Sequence, residues 1–170
     1  NVETRVVDEQ MQDVAVGEVG EIVHRSPHLM LGYLNDEDKT AAAFSGGWFH
    51  SGDLATIDDE GYITVVDRKK DMIKTGGENV ASREVEEMIY QLPAVSEVAV
   101  IGLPDTKWVE AVTAVIVLKE GQTLSEAQVI EHCQAHMAGF KAPKRVIFTQ
   151  ALPKNPSGKV LKRDLRLAHA

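Results

Sequence analysis

Asp67-Arg68-Lys69-Lys70-Asp71 sets five charged side chains in a row between two strand-like runs. Neither face of a strand nor one stripe of a helix can bury such a run, because a charge taken out of water without a partner is costly. The chain therefore has a joint here. Before it lies Tyr62-Ile63-Thr64-Val65-Val66, β-branched and aromatic. After it come Met72-Ile73-Lys74, the turn former Gly76-Gly77 and a short return strand. On spacing alone the simplest account of the joint is a solvated linker.

Charge changes at the same place. Residues 1–66 carry three basic and thirteen acidic side chains, whereas 67–170 carry fifteen and thirteen. Lys141, Lys144, Arg145, Lys154, Lys159, Lys162, Arg163 and Arg166 stand against one acid, Asp164. That is the profile of a face that meets a polyanion, or of a solvated basic surface. With aromatics at 5% and no recognisable nucleic-acid module, nucleic acid is not the expected polyanion. At 170 residues and 44% hydrophobic content the chain suffices for one domain or two small ones. No run approaches the roughly 18 apolar residues of a membrane helix, and the first residues lack a signal-peptide core. A lone cysteine, Cys133, excludes an internal disulfide and fits a cytoplasmic location. The chain opens on Asn1 in place of Met, as a processed chain or a piece of a longer one does.

Read in order, Arg5-Val6-Val7 and Gly20-Glu21-Ile22-Val23 predict strands around Val14-Ala15-Val16 and the turn former Gly17, a β-meander. Asn35 predicts a cap for a helix over 36–44, whose Asp36, Glu37 and Asp38 suit the positive end of a helix dipole. Gly46-Gly47 ends it, 48–57 returns as a strand, and Asp58-Asp59-Glu60-Gly61 predicts a hairpin turn into 62–66. Beyond the joint, helix and strand alternate. Ser82 predicts a cap for a helix over 83–91, with Val85, Met88, Ile89 and Leu92 as its apolar face. The nearly continuous apolar runs 98–103 and 111–118 predict buried strands. Thr123 and Glu126 have the spacing of a capping box for a helix to about Met137, with Ile130, Cys133 and Met137 on one face and Gly139 as its stop. A strand over 145–148, a Pro-rich loop over 152–158 and a short basic helix over 160–167 complete an α+β pattern.

Three residues in this pattern are suited to ligand chemistry. Asp53 ends a strand beside Gly52, and its two oxygens can accept both hydroxyls of a ribose; an ordinary turn aspartate is the plainer account. Arg68 can donate to the same sugar or to a phosphate. Lys159 ends Leu152-Pro153-Lys154-Asn155-Pro156-Ser157-Gly158-Lys159, a cation on a stiff loop. This loop is not a P-loop, which would need Gly at 153 and Ser or Thr at 160 where the chain has Pro153 and Val160. His132 and His136 have the spacing of a metal pair, but no acid or thiol completes a ligand set, so no metal site is expected.

Trp48-Phe49-His50-Ser51-Gly52-Asp53, the stretch from Gly61 through the joint to Gly76-Gly77-Glu78-Asn79-Val80 with Glu84-Val85-Glu86, and Pro153 to Lys159 together resemble the adenylate-forming acyl-CoA synthetase superfamily. The likeness is to its fatty-acyl-CoA synthetases above all. The motifs occur in the family's order, and Gly17-Glu18-Val19-Gly20-Glu21-Ile22 and Gly32-Tyr33 look like a further family segment. The resemblance implies that 1–66 is the last β-rich piece of a large N-terminal domain, 67–71 a hinge centred on Lys70, and 72–170 a mobile α+β lid. That lid would hold a mixed, mainly antiparallel sheet flanked by helices.

It further implies that Asp53 holds the ribose hydroxyls of ATP, that Arg68 contacts the same nucleotide, and that Lys159 reaches the carboxylate and α-phosphate during adenylation. Gly76 and Gly77 would line the CoA pantetheine path, with Trp108, Phe140 and Lys144 as weaker CoA matches. Mg²⁺, the phosphate loop and the acyl pocket would belong mainly to the N-terminal domain, and this chain alone is expected to be inactive. The implied partners are a small carboxylic acid, CoA and that N-terminal domain. An adenylation domain that loads a carrier protein, or a non-catalytic nucleotide-binding module, would share these motifs. The chain departs from the pattern at His50, where Thr is usual, and at Asp67 and Val109, where Gly is usual.

Overall fold

A computed structural model describes residues 1–170, and the chain divides by its internal contacts into Asn1–Lys70 and Asp71–Ala170. In the first unit, β1 (Glu3–Val7), β2 (Gly20–Arg25), β3 (Phe49–Ile57) and β4 (Ile63–Arg68) form an antiparallel sheet in that order. The segment 14–16 is not a strand; Val14 N–H donates to Val6 O at 3.1 Å, and Gly17, at φ 82°, turns the chain toward β2. β4 runs to Arg68, so Asp67 and Arg68 belong to the sheet, and Lys69–Asp71 forms a single 3-10 turn. The small core here is Val7, Val23 and Trp48, with the Arg5 and Arg25 guanidinium groups 5.1 and 4.1 Å from the indole centroid.

In the second unit the order is β5 (Ile73–Thr75), β6 (Glu78–Val80), α2 (Ser82–Tyr90), β7 (Val95–Asp105), β8 (Val109–Leu118), α3 (Glu126–His136), β9 (Arg145–Phe148) and α4 (Lys162–His169). The sheet runs β6-β5-β8-β7, antiparallel throughout, with β9 parallel beside β8. The long apolar runs of β7 and β8 are explained by burial on both faces. Val98, Val100, Val112, Ala114 and Ile116 pack with Val85 and Ile89 of α2 and Val129 and Cys133 of α3. Their alternating neighbours Ala99, Ile101, Leu103 and Val115 pack with Leu152 and with Leu165 of α4. Burial pushes the Cys133 thiol up to about 11. No helix is long and apolar enough to cross a membrane.

Each predicted cap moves by one or two residues, for a local reason. Asn35 sits at φ 53°, outside the helix, and Asp36 caps α1 (Glu37–Ala43) by accepting from Lys39 N–H at 3.0 Å. Ser125 and Gln128, not Thr123 and Glu126, form the capping box of α3. The Glu126 carboxylate instead accepts from Val146 N–H on β9 at 3.0 Å. Ser82 is the first helical residue of α2 and does not cap it; its hydroxyl accepts from Lys162 Nζ at 2.6 Å. The buried face of α3 is Val129 and Cys133, with Ile130 only partly covered.

The β7–β8 hairpin turns through 106–108, with the Asp105 carboxylate accepting from the N–H groups of Lys107 and Trp108 at 2.8 and 2.9 Å. Its closing residue, Val109, lies at φ 70°, where glycine is at ease and a β-branched side chain is strained. Val109 is 70% exposed, so little packing offsets that strain. Left-handed backbone costs a non-glycine residue about 1–2 kcal/mol, and glycine returns about 0.5–1 of that as unfolded-chain entropy. Val109→Gly is therefore expected to stabilise the second unit by roughly 0.5–1 kcal/mol in urea melts; a loss of stability would show that Val109 contributes contacts that outweigh its backbone.

Candidate functional site

In the first unit, strand register places Asp53 of β3 opposite Arg68 of β4. Arg68 Nε lies 3.6 Å from Asp53 Oδ1, with both side chains well exposed. So loose and wet a pair contributes little to folding, and it leaves the carboxylate oxygens accessible to a ligand. The strand bends immediately before Asp53, at Gly52 with φ 74°. Ser51 Oγ fixes the bend by donating to Ile22 O at 2.7 Å and accepting from Asp53 N–H at 3.0 Å. Beneath it lies Glu21, 6% exposed. Its carboxylate accepts from Gly52 N–H at 3.2 Å, His50 Nδ1 at 3.0 Å and Lys69 Nζ at 2.9 Å. Burial pushes the Glu21 carboxyl up, but the hydrogen bonds of His50 and Lys69 and their charges together hold it below its ordinary 4.5.

In the second unit the glycine corner between β5 and β6 is built against Trp108. Gly76 N–H donates to Trp108 O at 2.8 Å, and a Cβ on Gly76, whose φ is 59°, would stand 3.0 Å from the indole. Gly77, at φ 88°, faces open space, so only its backbone angle calls for glycine. The Lys107 and Lys144 ammonium groups lie 4.8 and 5.4 Å from the indole centroid. Lys144 also donates to Gly139 O and Ala142 O at 2.8 and 3.0 Å, and desolvation lowers its pKa. Gly76, Trp108 and Lys144 thus come together, whereas Phe140 packs into the core cluster under α2 and α3. Beside the corner, the buried Thr75 hydroxyl has no hydrogen-bond partner.

Lys159 belongs to neither group. Its loop is closed by a bridge between Lys154 and Val160 and by Asn155, whose side-chain oxygen accepts from Ser157 N–H and Lys159 N–H. Gly158, at φ 83°, completes the turn. Cations around it are matched: Lys154 to Glu97 at 2.6 Å, Lys162 to Glu86 at 2.7 Å, Arg166 to Asp71 at 2.8 Å. The Lys159 side chain is exposed and pairs with no acid. No three or more His, Cys, Asp or Glu side chains are grouped to hold a metal ion. His132 Nε2 donates to Met88 O and His136 Nδ1 to His132 O, so that pair is spent on backbone carbonyls.

The residue that motif reading passed over is Glu21. Its signal was there in a charged residue amid the apolar run Gly20 to Val23, but its partners are 29 and 48 residues away. A carboxyl held low in the fold contributes stability above its ordinary pKa, and that contribution fades as the pH falls through the folded value. In a Trp108→Phe background, where Trp48 is the remaining indole of two, acid unfolding followed by fluorescence should lose stability below pH 4.5 more steeply than in the same chain with Glu21→Gln. Parallel acid limbs would remove Glu21 from this account.

Residues 84–159 match the AMP-binding enzyme C-terminal domain family. A long-chain-fatty-acid–CoA ligase, FadD13, of Mycobacterium tuberculosis is 50% identical over 147 residues, 86% of this chain and 29% of that protein. A feruloyl-CoA synthase of an Amycolatopsis species is 44% identical over 164 residues, 96% of this chain and 33% of that protein. The crystal structure of ATP-bound MatB from Rhodopseudomonas palustris superposes with a TM-score of 0.92 at 41% identity, covering 99% of this chain and 34% of that one. The chain spans about a third of the length of the proteins it matches. With the Asp53, Arg68 and Lys159 motifs in the order seen here, the chain belongs to the adenylate-forming acyl-CoA synthetase superfamily and carries its AMP-binding C-terminal domain.

Proposed function

We propose that this chain is the C-terminal third of an AMP-forming acid–thiol ligase that takes a fatty acid. In the first half-reaction a carboxylate oxygen attacks the α-phosphorus of ATP and pyrophosphate leaves, giving an acyl-adenylate. In the second, the CoA sulfur attacks the acyl carbon and AMP leaves. The observation that carries this reading is the unpaired ammonium of Lys159 on a braced loop, beside Lys154 of the same loop and Lys162 and Arg166 of α4, which are all matched. Two anions must meet in the first step, and a preorganised cation lowers the cost of the charge that gathers between them. Asp53 accepts from the ribose hydroxyls, and Arg68, 3.6 Å away, donates to the same nucleotide. The fatty-acid assignment follows the relative at 50% identity.

For the second step the Gly76–Gly77 corner, with Trp108 and Lys144, is the surface offered to CoA; Phe140, packed against the core, is left out of it. Lys144 supplies positive charge for the CoA phosphates. Mg²⁺ finds no donor cluster in this chain, and no step here is assigned to it. Because the Lys159 loop and the glycine corner serve different half-reactions, the second unit must turn between them, and Lys70 is where we place the turn.

In the whole enzyme, Lys159→Ala should slow pyrophosphate release about 100- to 1,000-fold, the usual worth of one preorganised donor. Transfer from a supplied acyl-adenylate to CoA should change little; equal losses in both steps would make Lys159 a residue of the fold only. Proline fixes φ near −65°, so Lys70→Pro should spare adenylation and abolish thioester formation, while Lys70→Ala is mild in both. Acyl-CoA production by the proline variant at the parent rate would remove Lys70 from this assignment.

A further inference from the structure

We infer that Lys69 and Asp71 are side-chain anchors, one for each unit, which confine the turning motion to the backbone around Lys70. The inference rests on the reading of Lys70 as the joint. The division between the units falls between Lys70 and Asp71, inside the single 3-10 turn Lys69–Asp71. Each flanking side chain is tied into its own unit by an ion pair to a well-packed partner.

On the first side, Lys69 Nζ donates to Glu21 Oε2 at 2.9 Å. Glu21 is itself immobilised, since its carboxylate also accepts from His50 Nδ1 and from Gly52 N–H. Lys69 is thereby bonded to the support beneath Asp53. On the second side, Asp71, 8% exposed, accepts from Arg166 at 2.8 Å. Arg166 follows the buried Leu165 on α4, and α4 is bonded to α2 through Lys162, which reaches Glu86 and Ser82 at 2.7 and 2.6 Å. Neither anchor can follow the other unit without breaking a partly buried charge pair.

A linker of five charged residues with no such ties would spread any rotation over all its bonds. With Lys69 and Asp71 held, the angles of Lys70 and the two bonds flanking it are what remain. Lys69 and Asp71 are positioning residues in this scheme, acting on the geometry of the turn and not on substrate.

The test is ¹⁵N relaxation on the 170-residue chain with two variants, Lys69→Met and Arg166→Met. Lys69→Met removes one anchor while sparing the Glu21 bonds to His50 and Gly52. Rigid backbone gives order parameters of about 0.85 and flexible backbone falls below about 0.6. In the parent the amides of Lys69 and Asp71 should read as rigid. Lys69→Met should lower Arg68 and Lys69 into the flexible range and leave Asp71 unchanged; Arg166→Met should lower Asp71 and Met72 and leave Lys69 unchanged. Should Arg166→Met release α4, Asp71→Asn, which keeps the shape of the side chain, must give the same one-sided loss. Unchanged order parameters, or a loss on both sides of Lys70 from either substitution, would overturn the anchors. A failure of the joint itself reads differently: one-sided losses together with a silent Lys70→Pro in both half-reactions would reject Lys70 as the pivot and uphold the two anchors.

Discussion

The second unit depends on one constraint: β7 and β8 are apolar on both sides, so both sides must be covered. α2 and α3 cover one face, and the Leu152 segment with α4 covers the other. The covering elements also hold the residues to which the chemistry is proposed to belong. Leu152 and Leu165 bracket the loop of Lys159, so burying Ala99, Ile101 and Leu103 also sets where that ammonium is offered. At the other end of the hairpin, Trp108 closes the turn and the glycine corner is built against it. The packing and the proposed sites are therefore linked through the same pair of strands.

The first unit solves a different problem with a smaller core. Three buried residues, Val7, Val23 and Trp48, hold its centre, and the sheet is irregular where the candidate ligand residues lie. Register shifts between Glu21 and Val23 and between Leu54 and Ala55 would leave ladder groups unpaired. Ser51 Oγ and the Glu21 carboxylate fill the places left at the first of these, with Ile22 O and Gly52 N–H as their partners. A buried carboxylate is tolerable here because three donors satisfy it, and it returns a fixed bend at Gly52 that aims Asp53 outward.

Strands were legible in the sequence because β-branched runs between turn formers have few alternatives: 145–148 was read to the residue, and the two apolar runs to within a few. Caps were less so. Asn35 and Asp36, or Thr123 and Ser125, offer equivalent oxygens, and only the backbone angle at each decides between them. Asp53, Arg68 and Lys159 were visible as motif residues because their neighbours in sequence shape the backbone that carries them, strand for the first two and loop for the third. The Glu21–Lys69 and Asp71–Arg166 pairs were not, since their members lie 48 and 95 residues apart and neither local periodicity nor charge counting joins them.

Cys133 carries a last consequence. It is the one thiol in the chain, wholly enclosed under β7 and β8 and held protonated by its surroundings. A thiolate is the sulfur form that attacks carbonyl carbon, and a protonated, enclosed thiol does not. For a chain proposed to attend an activated acyl group and the sulfur that accepts it, this removes the competing internal acceptor. Self-acylation at sulfur is foreclosed by the same helix packing that builds the core.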